Sequence, residues 1–133
     1  MNYSVLGFMI STDKKSVYLY NHPFGAVNGF SRIIKDDEAP FSVMSDVFHK
    51  KTGVKQEYWS VFAEVITPDL TITCFWCLGE LQSYYDTTPT TRIEKAPINQ
   101  LNQYNLSKHC DWLIPMAVSC AKSNVPMFAK VMF

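Results

Sequence analysis

The fold turns on one stretch: Asn28-Gly29-Phe30-Ser31-Arg32-Ile33-Ile34-Lys35-Asp36-Asp37-Glu38-Ala39-Pro40, continued by Phe41-Ser42-Val43-Met44-Ser45-Asp46-Val47-Phe48-His49-Lys50-Lys51-Thr52-Gly53-Val54. Its second half reads as a helix. Val43, Met44, Val47 and Phe48 recur at i, i+1, i+4 and i+5, which places one apolar stripe along a helix. Pro40 suits a first turn, where its missing N–H costs little. Lys50 and Lys51 sit in the last turn, where cations complement the helix dipole. Gly53 accepts the left-handed conformation that ends a helix. The spacing predicts a helix over about residues 40–51. In the first half, Asn28-Gly29 is a turn signal, and Lys35-Asp36-Asp37-Glu38 is a polar stretch leading into the helix.

Outward from this stretch, strand formers dominate. Tyr3 to Ile10 and Val17 to Tyr20 flank the turn Asp13-Lys14-Lys15 and predict a hairpin. Asn21 to Gly25 breaks the pattern as a loop. Tyr58 to Ile66 and Leu70 to Leu78, joined at Thr67-Pro68-Asp69, predict a second hairpin. Thr87 to Thr91 is a polar loop, with a short strand expected near Arg92 to Ala96. Asp111 is expected to cap a helix carrying Trp112, Leu113, Met116 and Cys120, with Pro115 in its first turn. Met127 to Phe133 reads as a last strand. No internal repeat or linker interrupts the chain. Residues 1–133 are therefore expected to form one α+β domain.

Composition bounds the function. The 133 residues carry 12 Lys plus Arg and 12 Asp plus Glu, a net charge of zero. That balance argues against an extensive nucleic-acid surface, which calls for a basic excess. Apolar residues are 47% and charged residues 18%, below the typical charged share of about 25%. A disordered chain is thereby excluded. No apolar run reaches the roughly 20 residues of a membrane span, and the N-terminus lacks the basic region and cleavage site of a signal peptide. A soluble, cytoplasmic protein with four reduced cysteines is the expectation. Aromatic residues at 14% leave room for a protein-binding surface, and pairing of two copies stays open.

Residues 28–54 resemble the Nudix box, whose pattern is Gly-x5-Glu-x7-Arg-Glu-U-x-Glu-Glu-x-Gly-U with U apolar. Glu38, Pro40, Phe48, Thr52, Gly53 and Val54 fall in register without a gap, and Asn28-Gly29 resembles a lead-in found in many Nudix hydrolases. Val5 to Ile10 with Val17 to Tyr20 resembles the opening hairpin of that family. Ala96 to Leu101 and Trp112 to Ala117 resemble later segments, the second a C-terminal helix of one bacterial and phage branch. The resemblance covers the chain to about residue 120. It implies a mixed β-sheet flanked by helices, an α/β/α sandwich. It also implies hydrolysis of nucleoside diphosphates linked to another group, with Mg²⁺ or Mn²⁺ held by the box glutamates.

The box itself departs from this pattern. Val47 stands at the first metal-binding glutamate, and Lys50 and Lys51 stand at the other two. Asp46 replaces the arginine, and Ser31 and Arg32 replace the paired glycines. Mg²⁺ takes hard oxygen ligands, which valine and lysine lack. An ammonium about 4 Å from a cation position adds repulsion on the order of 4 kcal/mol per unit charge at an effective dielectric near 20. No catalytic residue and no metal or other cofactor is expected. The degenerate positions are Glu38, Asp46, Val47, Lys50 and Lys51. The expected function is a catalytically inactive regulator or inhibitor that binds a protein or a nucleotide-like molecule. A divergent Mg²⁺-dependent hydrolase is the alternative.

The candidate ligand-binding residues are Asn28, Phe30, Arg32, Lys50, Lys51 and Trp112. Lys50 and Lys51 read first as solvated lysines at a helix end, with Asp46 paired to Lys50 at i,i+4. The sharper alternative is that both lysines hold phosphate directly, as point charges. Phe30, Trp59, Trp76 and Trp112 read mostly as core, with Trp112 the best candidate for a pocket wall. Asp36, Asp37 and Glu38 read as a solvated acidic turn. Cys74-Phe75-Trp76-Cys77 has C-x-x-C spacing, but on a strand i and i+3 face opposite ways. Buried thiols are expected there. His109-Cys110 is a weak nucleophile pair, since adjacent helical residues diverge.

Overall fold

A computed structural model of the chain describes residues 2–21, 25–81 and 93–133. Eight strands form one mixed sheet. They are β1 (Asn2–Ile10), β2 (Ser16–Asn21), β3 (Val27–Asn28), β4 (Phe30–Ile34), β5 (Ser60–Ile66), β6 (Leu70–Leu78), β7 (Ile93–Pro97) and β8 (Ala129–Met132). Among the described residues, two helices, α1 (Pro40–Thr52) and α2 (Cys110–Ser123), accompany the sheet with a 3-10 segment at Ile98–Gln103. The strand order is β3-β2-β1-β6-β5-β8, with β4 also on β1 and β7 also on β2. The β1–β6 and β5–β8 pairs are parallel and the others are antiparallel.

Strand β1 is central because both its faces are covered. Residues 4–10 of the strand are buried without alternation, as expected of a strand between two helical layers. Val5 and Met9 pack with Val43, Met44, Val47 and Phe48 of α1. Leu6, Phe8 and Ile10 pack with Leu113, Ile114 and Ala117 of α2. The arrangement is the expected α/β/α sandwich. On the α1 side, the Phe48 ring meets Phe30 edge-on at 4.8 Å and Trp59 at 5.3 Å. Such aromatic pairs add roughly 0.5–1.5 kcal/mol each beyond area burial. Gly29 carries the chain across β1 at close range: a Cβ there would lie 2.6 Å from the Gly7 main-chain oxygen.

Local signals in the sequence set several boundaries. Helix α1 runs one residue past the expected end and stops at Gly53, whose φ of 77° is left-handed and whose N–H donates to the His49 oxygen at 2.8 Å. Both hairpins form. Three details differ. Residues 30–34, given no element from sequence, form strand β4 because they pair along residues 3–7 of β1. Helix α2 begins at Cys110 after a left-handed His109, with no side-chain cap, so Asp111 lies inside the first turn rather than capping it. That earlier start puts Pro115 in the second turn, on the exposed side of the helix. The expected loop at 87–91, part of the loop at 21–25 and the start of the strand at Arg92 lie outside the described residues.

Candidate functional site

The site forms where α1 and β4 meet. Arg32 faces the α1 layer because it pairs with Val5 across β1. Its guanidinium donates to both Glu38 carboxylate oxygens and to Asp46 Oδ2 at 3.0 Å. Lys50 closes the network from one turn along α1, with Nζ 3.2 Å from the same Asp46 oxygen. The Lys35 N–H adds a bond to Glu38 Oε1 at 2.7 Å. The bond from Arg32, with help from the Lys35 N–H, holds the Glu38 carboxyl below the ordinary glutamate range. Its own bond to Glu38 raises the Arg32 guanidinium in return. The arginine that meets Glu38 and Asp46 thus comes from position 32 on the strand.

Position 47 has become core. Val47 is 4% exposed and packs within the apolar cluster beneath α1. Lys50 is the solvated lysine the sequence suggests, with its side chain 70% exposed. Lys51 is not. Its Nζ lies 4.4 Å from the centre of the Tyr20 ring and donates to the Ser31 main-chain oxygen at 3.4 Å. Burial lowers the pKa of this amine. Of the acidic turn, Asp36 and Asp37 are exposed, whereas Glu38 is bound by Arg32. Glu57 lies exposed ahead of β5, and Glu64 faces Lys130 of β8 at 3.9 Å. Among the described residues, no three His, Cys, Asp or Glu side chains converge as a metal site would need.

Ser31 joins this region to a cleft of about 300 Å³. The cleft is lined by Leu6 and Ile72 from the α2 side of the sheet and by the polar residues Ser4, Asn28, Ser31, Arg32, Ser107 and Lys108. Asn28 is fixed from two sides. Its Oδ1 accepts from the Gly29 N–H at 2.9 Å and the Cys110 thiol at 3.2 Å, and its Nδ2 donates to Ser31 Oγ at 3.3 Å. The cleft therefore combines apolar side chains with a few polar groups, as small-molecule sites do.

The comparisons with known proteins divide sharply. No family model matches the chain, and no curated protein matches it. Solved structures do match in shape. An ADP-ribose pyrophosphatase from Streptococcus suis superposes with a TM-score of 0.77 at 14% identity, over 97% of this chain and 98% of that one. The Nudix domain of Shewanella oneidensis NrtR, solved with ADP ribose, gives 0.71 at 19% identity over 90% and 87%. The C-terminal domain of mouse MUTYH, solved in complex with human PCNA, gives 0.67 at 13% identity over 92% and 90%. The fold is the Nudix fold. A domain solved with ADP ribose and a domain solved with a protein are thus both among the neighbours. No helix among the described residues is long and apolar enough to cross a membrane.

Within this Nudix fold, the sequence candidates separate. Asn28 and Arg32 stand together at the cleft, and Arg32, Glu38, Asp46 and Lys50 form one ionic network. Phe30 is corrected from ligand-binding candidate to core: it has no exposed surface, because its ring is closed between Phe48 and Tyr20. Trp112 is likewise not a wall of this cleft. Its Nε1 donates to His109 Nδ1 at 3.2 Å, and its ring neighbours those of His109 and Phe133. That bond turns His109 away from nucleophile chemistry with Cys110. Burial pushes the Cys110 thiol up to about 11 and Cys74 to about 12. Cys74 packs on the α2 side and Cys77 on the α1 side, so the C-x-x-C pair is split across the sheet as its strand spacing requires. Ser107, Lys108 and Tyr20 went unnoticed in the sequence. Ser107 and Lys108 lie far along the chain from the box, Tyr20 lies in β2 shortly before it, and no motif marks any of them.

Proposed function

We propose that this protein binds a nucleotide-like molecule in the cleft along β4 without hydrolysing it, and acts as a regulator or inhibitor through that binding. One observation carries the reading. Of the box-region carboxylates, Glu38 and Asp46 are already held by Arg32 and Lys50, and Arg32 also lines a cleft with polar side chains. A hard divalent cation needs free carboxylate oxygens, and at positions 47, 50 and 51 this chain offers a core valine and two lysines. Arg32 and Lys108 line the cleft, and Lys51 reaches the main-chain oxygen of Ser31, another lining residue; such cations suit the phosphates of a nucleoside diphosphate derivative. The NrtR domain, which was solved with ADP ribose and has the same fold, makes that compound the natural first probe.

Calorimetric titration with ADP-ribose, with Mg²⁺ and then with EDTA, tests the reading. The expected result is saturable binding in both buffers and no phosphate-ester product after long incubation with Mg²⁺ or Mn²⁺. Turnover that is abolished by Glu38→Gln would overturn it in favour of a divergent hydrolase. Absence of nucleotide binding together with a stable protein complex would instead make the cleft side a protein-docking site.

A further inference from the structure

We infer that the ammonium group of Lys51 stands in for the divalent cation of a Nudix box, so that this site takes a phosphate or diphosphate oxyanion directly, without a metal ion. The oxyanion rests on the ligand-binding reading above; the replacement of the cation rests on geometry. Position 51 carries a metal-binding glutamate in the box pattern. Here the side chain reaches from the end of α1 to β4, and its Nζ donates to the Ser31 main-chain oxygen at 3.4 Å. A glutamate at the same position ends one bond earlier, in oxygen rather than nitrogen. It would set carboxylate oxygens against that carbonyl oxygen, an arrangement that calls for a cation between them. Lysine removes the demand by bringing the positive charge covalently.

The surroundings keep that charge uncompensated. Among the described residues, the nearby carboxylates Glu38 and Asp46 are paired with Arg32 and Lys50, and none pairs with Lys51. The face of the Tyr20 ring, 4.4 Å away, stabilises a cation without neutralising it. An ammonium has three donors. Ser31 takes one and the ring faces the charge, which leaves donor capacity for an incoming anion. Burial also depresses the amine, so a bound oxyanion restores its preference for the charged form. The same ammonium repels a divalent ion from this place. The residues present therefore do not fit the metal that the fold family implies.

Inorganic pyrophosphate and Mn²⁺ alone are the probes, applied to the full chain. Wild type should bind pyrophosphate with affinities agreeing within about twofold in EDTA and in Mn²⁺. Lys51→Met keeps the apolar stem against Tyr20 and should lose roughly tenfold or more in pyrophosphate affinity, with its thermal midpoint retained. Lys51→Glu should bind Mn²⁺, read by electron paramagnetic resonance, roughly tenfold more tightly than wild type. No pyrophosphate binding by wild type, binding only with Mn²⁺, or equal binding by Lys51→Met overturns the inference. So does unchanged Mn²⁺ affinity in folded Lys51→Glu protein; if that variant does not fold, Lys51→Met decides. ADP-ribose binding that survives Lys51→Met leaves the nucleotide reading standing and removes this one. Lys51-dependent pyrophosphate binding without any ADP-ribose binding does the reverse.

Discussion

Helices α1 and α2 cover opposite faces of the same sheet by different means. Helix α1 buries four side chains, Val43, Met44, Val47 and Phe48, and ends in an ionic rim of Asp46, Lys50 and Lys51. Helix α2 buries seven, among them Leu113, Ile114 and Val118, and begins at an aromatic rim of His109, Trp112 and Phe133. The difference lies in what each helix carries at its edge, charge on α1 and aromatic rings on α2. The buried stripe of α1 sets its packing, and the charges lie at its edge. Val47 belongs to that stripe, and burying a valine side chain contributes roughly 1.5 kcal/mol or more.

Core truncations on the two faces should give the largest effects and show whether the two layers form one cooperative unit. Phe48→Ala under α1 should cost about 3–5 kcal/mol, and Leu113→Ala under α2 about 2–5 kcal/mol. Urea denaturation followed at Trp59 on one side and Trp112 on the other should give coincident transitions for both variants. Separate transitions would break the comparison into two independently melting layers.

Gly29→Ala should come next, at about 1–3 kcal/mol for overpacking, because the new methyl meets the β1 main chain at Gly7 and the buried Phe8 ring. Thermal melts check this. A change well below that range would mean that β1 shifts freely between the helices.

The aromatic rim of α2 adds a pH effect that the ionic rim of α1 should not share near neutrality. Trp112 can only donate, so His109 Nδ1 accepts only while the imidazole is neutral. Burial first, then Lys108, lowers the His109 pKa, and Asp111 opposes them. A lowered pKa means that the unfolded chain binds more protons just below its ordinary value. The His109 contribution is therefore complete above about pH 6.5 and is lost as pH falls from there through the folded value. Melting temperatures of wild type should drop across that window, and those of His109→Asn should not follow.

The smallest expected effect belongs to the outermost charge. Lys50→Ala removes one exposed i,i+4 pair and should cost about 0.3 kcal/mol at low salt, less at high salt. Glu38 answers to a different partner. In Arg32→Met its carboxyl should titrate at a higher pH than in wild type, as followed by carboxyl NMR, because the bond that holds it down is gone. No change there would separate Glu38 from the network.

Much of this protein was legible in its sequence where the signal is local. The stripe of Val43 to Phe48 and the left-handed Gly53 set helix α1, the Asp46–Lys50 pair follows from helical spacing, and strand alternation splits Cys74 from Cys77. Other features depended on tertiary structure. The parallel pairing of β1 with β6 joins residues 68 apart in the chain, from Asn2 with Leu70 to Ile10 with Leu78. The closure of Phe30 between Phe48 and Tyr20 took it out of the candidate site. Arg32 reached Glu38 and Asp46 together only because β4 lies against α1, and Lys51 left solvent for Ser31 and Tyr20 for the same reason. Backbone propensity and side-chain periodicity act over a few residues, so the chain alone specifies them. Which charges meet, and which stay uncompensated, depends on elements brought together across the sheet, and the packed fold alone decides that.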